Sequence, residues 1–139
     1  MDKFRKINVI TTNAALEAIN VALSEAAKLG VNISVAIVNP DLNLVAFARG
    51  DGSTPHSIET SRRKAQTAAS TGKSTGWMNS DLAITLPMGT GNLLTNIPGG
   101  MPLKFEGILI GGMGIAGGTV EQDAIIATAA LNSLGADPV

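Results

Sequence analysis

Apolar and polar positions at the start of the chain repeat with a helical period. From Ala14 to Leu29, residues Leu16, Ile19, Leu23, Ala26 and Ala27 fall on one stripe, while Glu17, Asn20, Ser24 and Lys28 lie elsewhere. Thr11-Thr12-Asn13 supplies N-cap candidates and Gly30 a C-terminal stop. Ahead of this helix, INVI at 7–10 predicts a short first strand. The period then changes. ISVAIV at 33–38 is a continuous, largely β-branched run, which predicts a strand covered on both faces. Asn39-Pro40-Asp41-Leu42-Asn43 is turn chemistry, and LVAFAR at 44–49 returns as the second arm of an antiparallel hairpin.

Gly50-Asp51-Gly52 predicts a turn, because both glycines permit positive φ and Asp51 can bond its own backbone. Ser53 or Thr54 is then the expected N-cap, with Pro55 at the first helical position. The helix should run over 55–71 with Ile58, Ala65, Ala68 and Ala69 on its apolar side; these residues are mostly small and allow close packing. Residues 72–100 are the least regular part. A short helix is expected near 79–86, broken by Pro87, and the remainder reads as a long loop that covers a ligand or another subunit. A second hairpin follows: 101–105, a Glu106-Gly107 turn, and a glycine-rich strand from 108 to 115–118. Glycines inside that strand mark close approach of a ligand or another backbone. Thr119 and Gln122 match a capping box for a helix to about 134. The order is (β)αββα–loop–ββα, which predicts an α+β fold, an antiparallel sheet flanked by helices, in one domain over 1–139.

Composition sharpens this picture. Apolar residues make up 45% and charged residues 15%, against a usual charged share of about 25%. So little charge predicts that part of the surface is covered by other copies of the chain. Net charge is −1, and the only basic cluster is Arg62-Arg63-Lys64, which argues against nucleic acid as the main partner. With no cysteine, disulfides and thiolate chemistry are excluded. The N-terminus lacks a signal-peptide core and no run is long enough for a membrane span, so a cytoplasmic protein without membrane contact is expected.

Candidate chemistry gathers between Phe47 and Ala69. His56 is the only imidazole, and it falls at a helix start. It can serve as a general acid/base, as an axial ligand or as a plain helix cap. Arg49 and Lys64 are candidates to hold a carboxylate, Lys64 equally a member of a structural or interface ion pair. Asp51, Gly52, Thr54 and Ser57 surround the helix start as candidate ligand contacts, Asp51 also as turn support. Gly99, Gly100 and Met101 are expected in a pocket wall, and Gly114 at a point of close approach. Asp123 reads as a helix-dipole residue. One histidine without cysteine gives no metal set. There is no G-x-S-x-G elbow for a hydrolase, and GGMGIAGG lacks the ending of a phosphate loop. The predicted pocket lies between the 49–57 turn, the 87–101 loop and the strand near 111–117.

Four segments, in order, resemble the GlcG/HbpS family, which includes the C-terminal domain of PduO-type proteins. They are AAKLGVNISVAIVNPDLNLVAFAR, RGDGSTPHSIETSRRKAQTAA, IPGGMPLKFEGILIGGMGIAGG and TVEQDAIIATAAL. The chain differs from the family pattern at Ala116 and in its Asn39-Pro40-Asp41 turn. The resemblance implies a roller-like, five-stranded antiparallel sheet and a homo-oligomer, from a dimer up to an octamer. It also implies a haem, tetrapyrrole or cobalamin-related context, as for some members of the family. Three functions stay open, one of them an assembly or accessory protein with no ligand of its own. Another is an oligomeric binding protein for a small molecule or haem. The third is a cofactor-independent enzyme using His56, with Arg49 or Lys64, for proton transfer, hydration or hydrolysis on a small carboxylate-bearing metabolite.

Overall fold

The structure is a computed structural model describing residues 1–139. Its elements are α1 (Thr12–Leu29), β1 (Ser34–Val38), β2 (Leu44–Arg49), α2 (Ser57–Thr71), α3 (Ser80–Gly89), β3 (Gly100–Phe105), β4 (Ile108–Ala116) and α4 (Val120–Leu134). The sheet is antiparallel with strand order β2-β1-β4-β3. Helices α1 and α4 cover one face and α2 the other. No helix is long and apolar enough to cross a membrane.

The sheet has four strands rather than five. The expected first strand at 7–10 is reduced to a single bond, Ile10 N–H to Ile110 C=O at 2.9 Å, and the residues before Ile10 are exposed. Ile10 alone from that run is buried, and one anchored residue is too little for a ladder.

β1 is buried on both faces, as its uninterrupted apolar run requires. Ile33, Val35 and Ile37 join Met113, Ile115 and Leu103 against Ala15, Ala18, Ile19 and Ala22 of α1 and Ile126, Ala127 and Ala130 of α4. Ala36 and Val38, which alternate with them, meet Ala65 and Ala69 of α2. The stripe of α1 is rotated from the expected one: Leu16 is exposed and the alanines carry the contact. Small residues let α1 lie close to α4, and the larger Leu16 is left facing water.

The glycines of β4 have a structural cause. A Cβ on Gly112 would meet the Ala65 carbonyl oxygen, one on Gly114 the Ser61 carbonyl oxygen, and one on Gly100 of β3 the Lys64 carbonyl oxygen. The backbone that approaches these strands is therefore that of α2. The capping box of α4 forms as expected, with Thr119 Oγ1 accepting from Gln122 N–H and Gln122 Oε1 accepting from Thr119 N–H. Beyond α4, the Asp137 carboxylate accepts from Glu106 N–H (3.0 Å) and Gly107 N–H (2.7 Å), which ties the β3–β4 turn to the C-terminus. α3 runs through Pro87 to Gly89 instead of ending before it. None of its residues is buried.

Candidate functional site

The β2–α2 connection builds one wall of the site. α2 begins two residues later than the sequence pattern predicts. Its N-cap is His56, not Ser53 or Thr54, and Pro55 precedes the helix. The His56 backbone lies in the helical region and its imidazole makes no capping bond, so the side chain is exposed and uncommitted. Ser53 is occupied elsewhere. It joins a buried hydroxyl chain with Ser34 of β1 and Ser57 of α2, at 3.3 and 2.8 Å. Ser57 Oγ donates to the Thr54 carbonyl at 2.6 Å, so Ser34 must donate to Ser57 and Ser53 to Ser34. This one-way chain locks the helix start onto the central strand.

Two turns further along α2, Lys64 is buried against the sheet. Its Nζ donates to the Ile115 carbonyl at 2.7 Å and lies 3.5 Å from Asp123 Oδ2 of α4. Asp123 Oδ1 accepts from Gly118 N–H at 3.1 Å. Both side chains are almost fully enclosed, at 4% and 3% exposure. At such burial the loss of hydration competes with the attraction between the charges. Burial is the largest influence on each: it pulls the Lys64 amine below its ordinary 10.5 and pushes the Asp123 carboxyl above its ordinary 3.8. The attraction between the two groups opposes both shifts.

The pair faces a cavity of about 290 Å³. Thr54, His56, Ser57 and Thr60 line it from the start of α2, Ile97 from the long loop, and Ala116, Gly117 and Gly118 from the end of β4. Only two lining residues, Ile97 and Ala116, are apolar. The volume lies just below the range of about 300–1,000 Å³ typical of small-molecule sites. The chemistry on offer is three hydroxyls, one imidazole, one amine and one carboxyl.

The structure therefore brings together His56, Lys64, Thr54 and Ser57 of the candidate residues. It places others apart. Arg49 and Asp51 line a separate cleft of about 390 Å³ with Leu23, Ala26, Val31 and Ile33, and Arg49 Nη2 donates to the Ser53 carbonyl at 3.2 Å. Gly52 is an exposed turn residue at φ 78°. Gly99 stands behind the ion pair, where a Cβ would come 2.8 Å from Lys64 Nζ. Gly100 and Gly114 make room for α2 as described. Met101 is half-buried, with its sulfur 3.2 Å from Ser74 Oγ. The long loop contributes Ile97 rather than a broad wall, and β4 contributes only its last residue together with Gly117 and Gly118. No three His, Cys, Asp or Glu side chains gather where they could hold a metal.

Sequence reasoning assigned Asp123 to the helix dipole and missed it as the partner of Lys64. The available signal was the position of Lys64 itself. It stands beside Ala65, Ala68 and Ala69 on the apolar side of α2, where a lysine is tolerated only if paired.

The chain's residues 10–132 match the family model described as haem degrading protein HbpS-like. The chain belongs to the HbpS-like family. A relative from Citrobacter freundii, an uncharacterized 15.0 kDa protein in the dhaT-dhaS intergenic region, is 30% identical over 95% of this chain and 96% of its own. The crystal structure of Klebsiella pneumoniae protein ORFY superposes with a TM-score of 0.89 at 26% identity, covering 99% of both chains. That of a PduOC:haem complex superposes with a TM-score of 0.86 at 28% identity, covering 93% of this chain and 97% of its own.

Proposed function

We propose that this HbpS-like chain binds a small polar metabolite carrying a carboxylate, carbonyl or hydroxyl group in the 290 Å³ pocket at the start of α2. The observation that carries this reading is the convergence, in one largely polar pocket, of an uncommitted imidazole with a buried lysine–aspartate pair. Hydroxyls of Thr54 and Thr60 and the His56 imidazole can meet polar groups of the ligand, while Ile97 shields one side.

A haem reading is favoured by the haem complex of PduOC. The exposed His56 imidazole has the chemistry of an axial ligand. The pocket behind it does not fit a porphyrin, which is a broad apolar disc, because its volume is small and only Ile97 and Ala116 are apolar.

Calorimetric titration with glycolate, a minimal hydroxy-carboxylate, separates the readings. The pocket reading expects saturable binding that His56→Ala weakens about tenfold, the loss of one hydrogen bond to a charged group. The melting temperature should barely move, because the imidazole caps nothing. No glycolate binding, together with a Soret band on haemin titration that His56→Ala abolishes, would replace the pocket reading with the haem one.

A further inference from the structure

Lys64 is the only one of the chain's six lysines that is buried, and its Nζ is enclosed by a short list of neighbours. The Ile115 carbonyl takes one hydrogen at 2.7 Å. Asp123 stands at 3.5 Å, a long contact for a committed ion pair, and its other oxygen is held by Gly118 N–H. Gly99 and Gly118 flank the two groups where side chains would collide with them: a Cβ on either would come 2.8 Å from Lys64 Nζ and from Asp123 Oδ1 respectively. The remaining side opens on the pocket. A buried amine, a carboxyl within reach, and a small polar cavity in front of both form the arrangement that amine–carbonyl condensation requires.

We propose that Lys64 is a nucleophile that forms an imine with a small aldehyde or ketone bound in this pocket, with Asp123 as the proton donor. This deepens the binding reading above and rests on it. The free amine adds its lone pair to the carbonyl carbon, and the π pair moves to oxygen, which takes a proton from nitrogen. Asp123, in its acid form, protonates the resulting hydroxyl. Water leaves and the C=N bond forms. Amine, carbonyl compound and carboxylic acid thus become iminium, carboxylate and water, and the new cation sits beside the new anion. The directions in which burial displaces the two groups favour the neutral amine and the neutral acid that the first step needs. Thr54, Thr60 and His56 lie where they can meet a hydroxyl or carboxylate substituent on the same molecule.

The test is reductive trapping on the intact protein. Glycolaldehyde is added at pH 7 with cyanoborohydride, which reduces an iminium to a stable secondary amine, and the modified lysines are mapped by peptide mass. An exposed lysine is almost wholly protonated at pH 7, whereas burial lowers the Lys64 amine and enlarges its free fraction. With the aldehyde held in the pocket beside this amine, a hydroxyethyl group should appear on Lys64 at least about tenfold faster than on Lys28 or Lys73. Asp123→Asn, whose Oδ1 can still accept from Gly118, should slow the Lys64 adduct by at least about tenfold through loss of the proton donor. Labelling spread evenly over the lysines would overturn the proposal, as would an Asp123→Asn rate equal to wild type. Glycolate has no aldehyde and reports binding alone. Glycolate binding without a Lys64 adduct would remove the imine and leave the binding reading standing, whereas absence of both would remove both.

Discussion

At the scale of single residues, the Lys64–Asp123 pair is the point of highest electrostatic stress, and it makes stability depend on pH. The folded chain holds the Lys64 amine below its ordinary 10.5, chiefly by burial. Between that lowered value and 10.5 the unfolded chain binds more protons than the folded one, so this contribution rises with pH and is complete above 10.5. Asp123 behaves oppositely. Its folded carboxyl is raised above 3.8, so its contribution is complete below 3.8 and is lost as pH rises through the raised value. Urea unfolding of wild type and Lys64→Met should therefore diverge on the alkaline side, the wild type gaining relative stability with pH up to 10.5. A difference that stays flat across that window would contradict the burial-dominated account. Residue roles were the least legible from sequence. His56 and Lys64 stood out by type and place, but nothing in a linear sequence brings residue 123 to residue 64. The Ser34–Ser53–Ser57 chain was equally hidden, because serines announce no partner.

At the scale of elements, the decisive contact is α2 against the glycine-bearing strands. The small residues of α2 and the glycines of β4 were each legible, and hairpin order and the Thr119–Gln122 box followed from turn chemistry and capping. The sequence pattern left open whether ligand or backbone would use the room; the structure gives it to the backbone at Gly100, Gly112 and Gly114. Element boundaries shifted where cap geometry decided them. Ser53 turned to the buried hydroxyl chain, which moved the start of α2 to Ser57. Gly114→Ala should press a methyl group into the Ser61 carbonyl and force α2 outward. The expected loss is about 1–3 kcal/mol, as for overpacking elsewhere. Thermal or urea unfolding checks it, and an unchanged midpoint would mean that α2 does not sit as described.

At the scale of the whole molecule, low charge predicts covered surface, and the structure exposes apolar side chains on one face. α3 has no buried residue, yet it carries Ile84 at 63% and Met88 at 74% exposure, and Leu93 and Ile97 are exposed beyond it. We propose that this face meets a second copy of the chain, which would place the pocket wall at Ile97 beside a subunit boundary. Sedimentation at micromolar concentration should show a species larger than the 14.1 kDa protomer, and Ile84→Asp should shift it towards the monomer. A wild-type monomer would contradict this. The fold class was legible because alternation and turn signals are local. The missing fifth strand was not, because INVI has strand composition but only Ile10 finds a partner.

The pocket at the start of α2 is proposed as the place where a small polar ligand binds. Amide shift mapping of the ¹⁵N-labelled protein during titration with glycolate tests it most directly. Saturable shifts are expected at Thr54, Ser57, Thr60, Ile97, Gly117 and Gly118, which line the 290 Å³ cavity. Shifts concentrated instead at Val31, Asn32 and Asp51, around the Arg49 cleft, with the pocket amides unmoved, would contradict it.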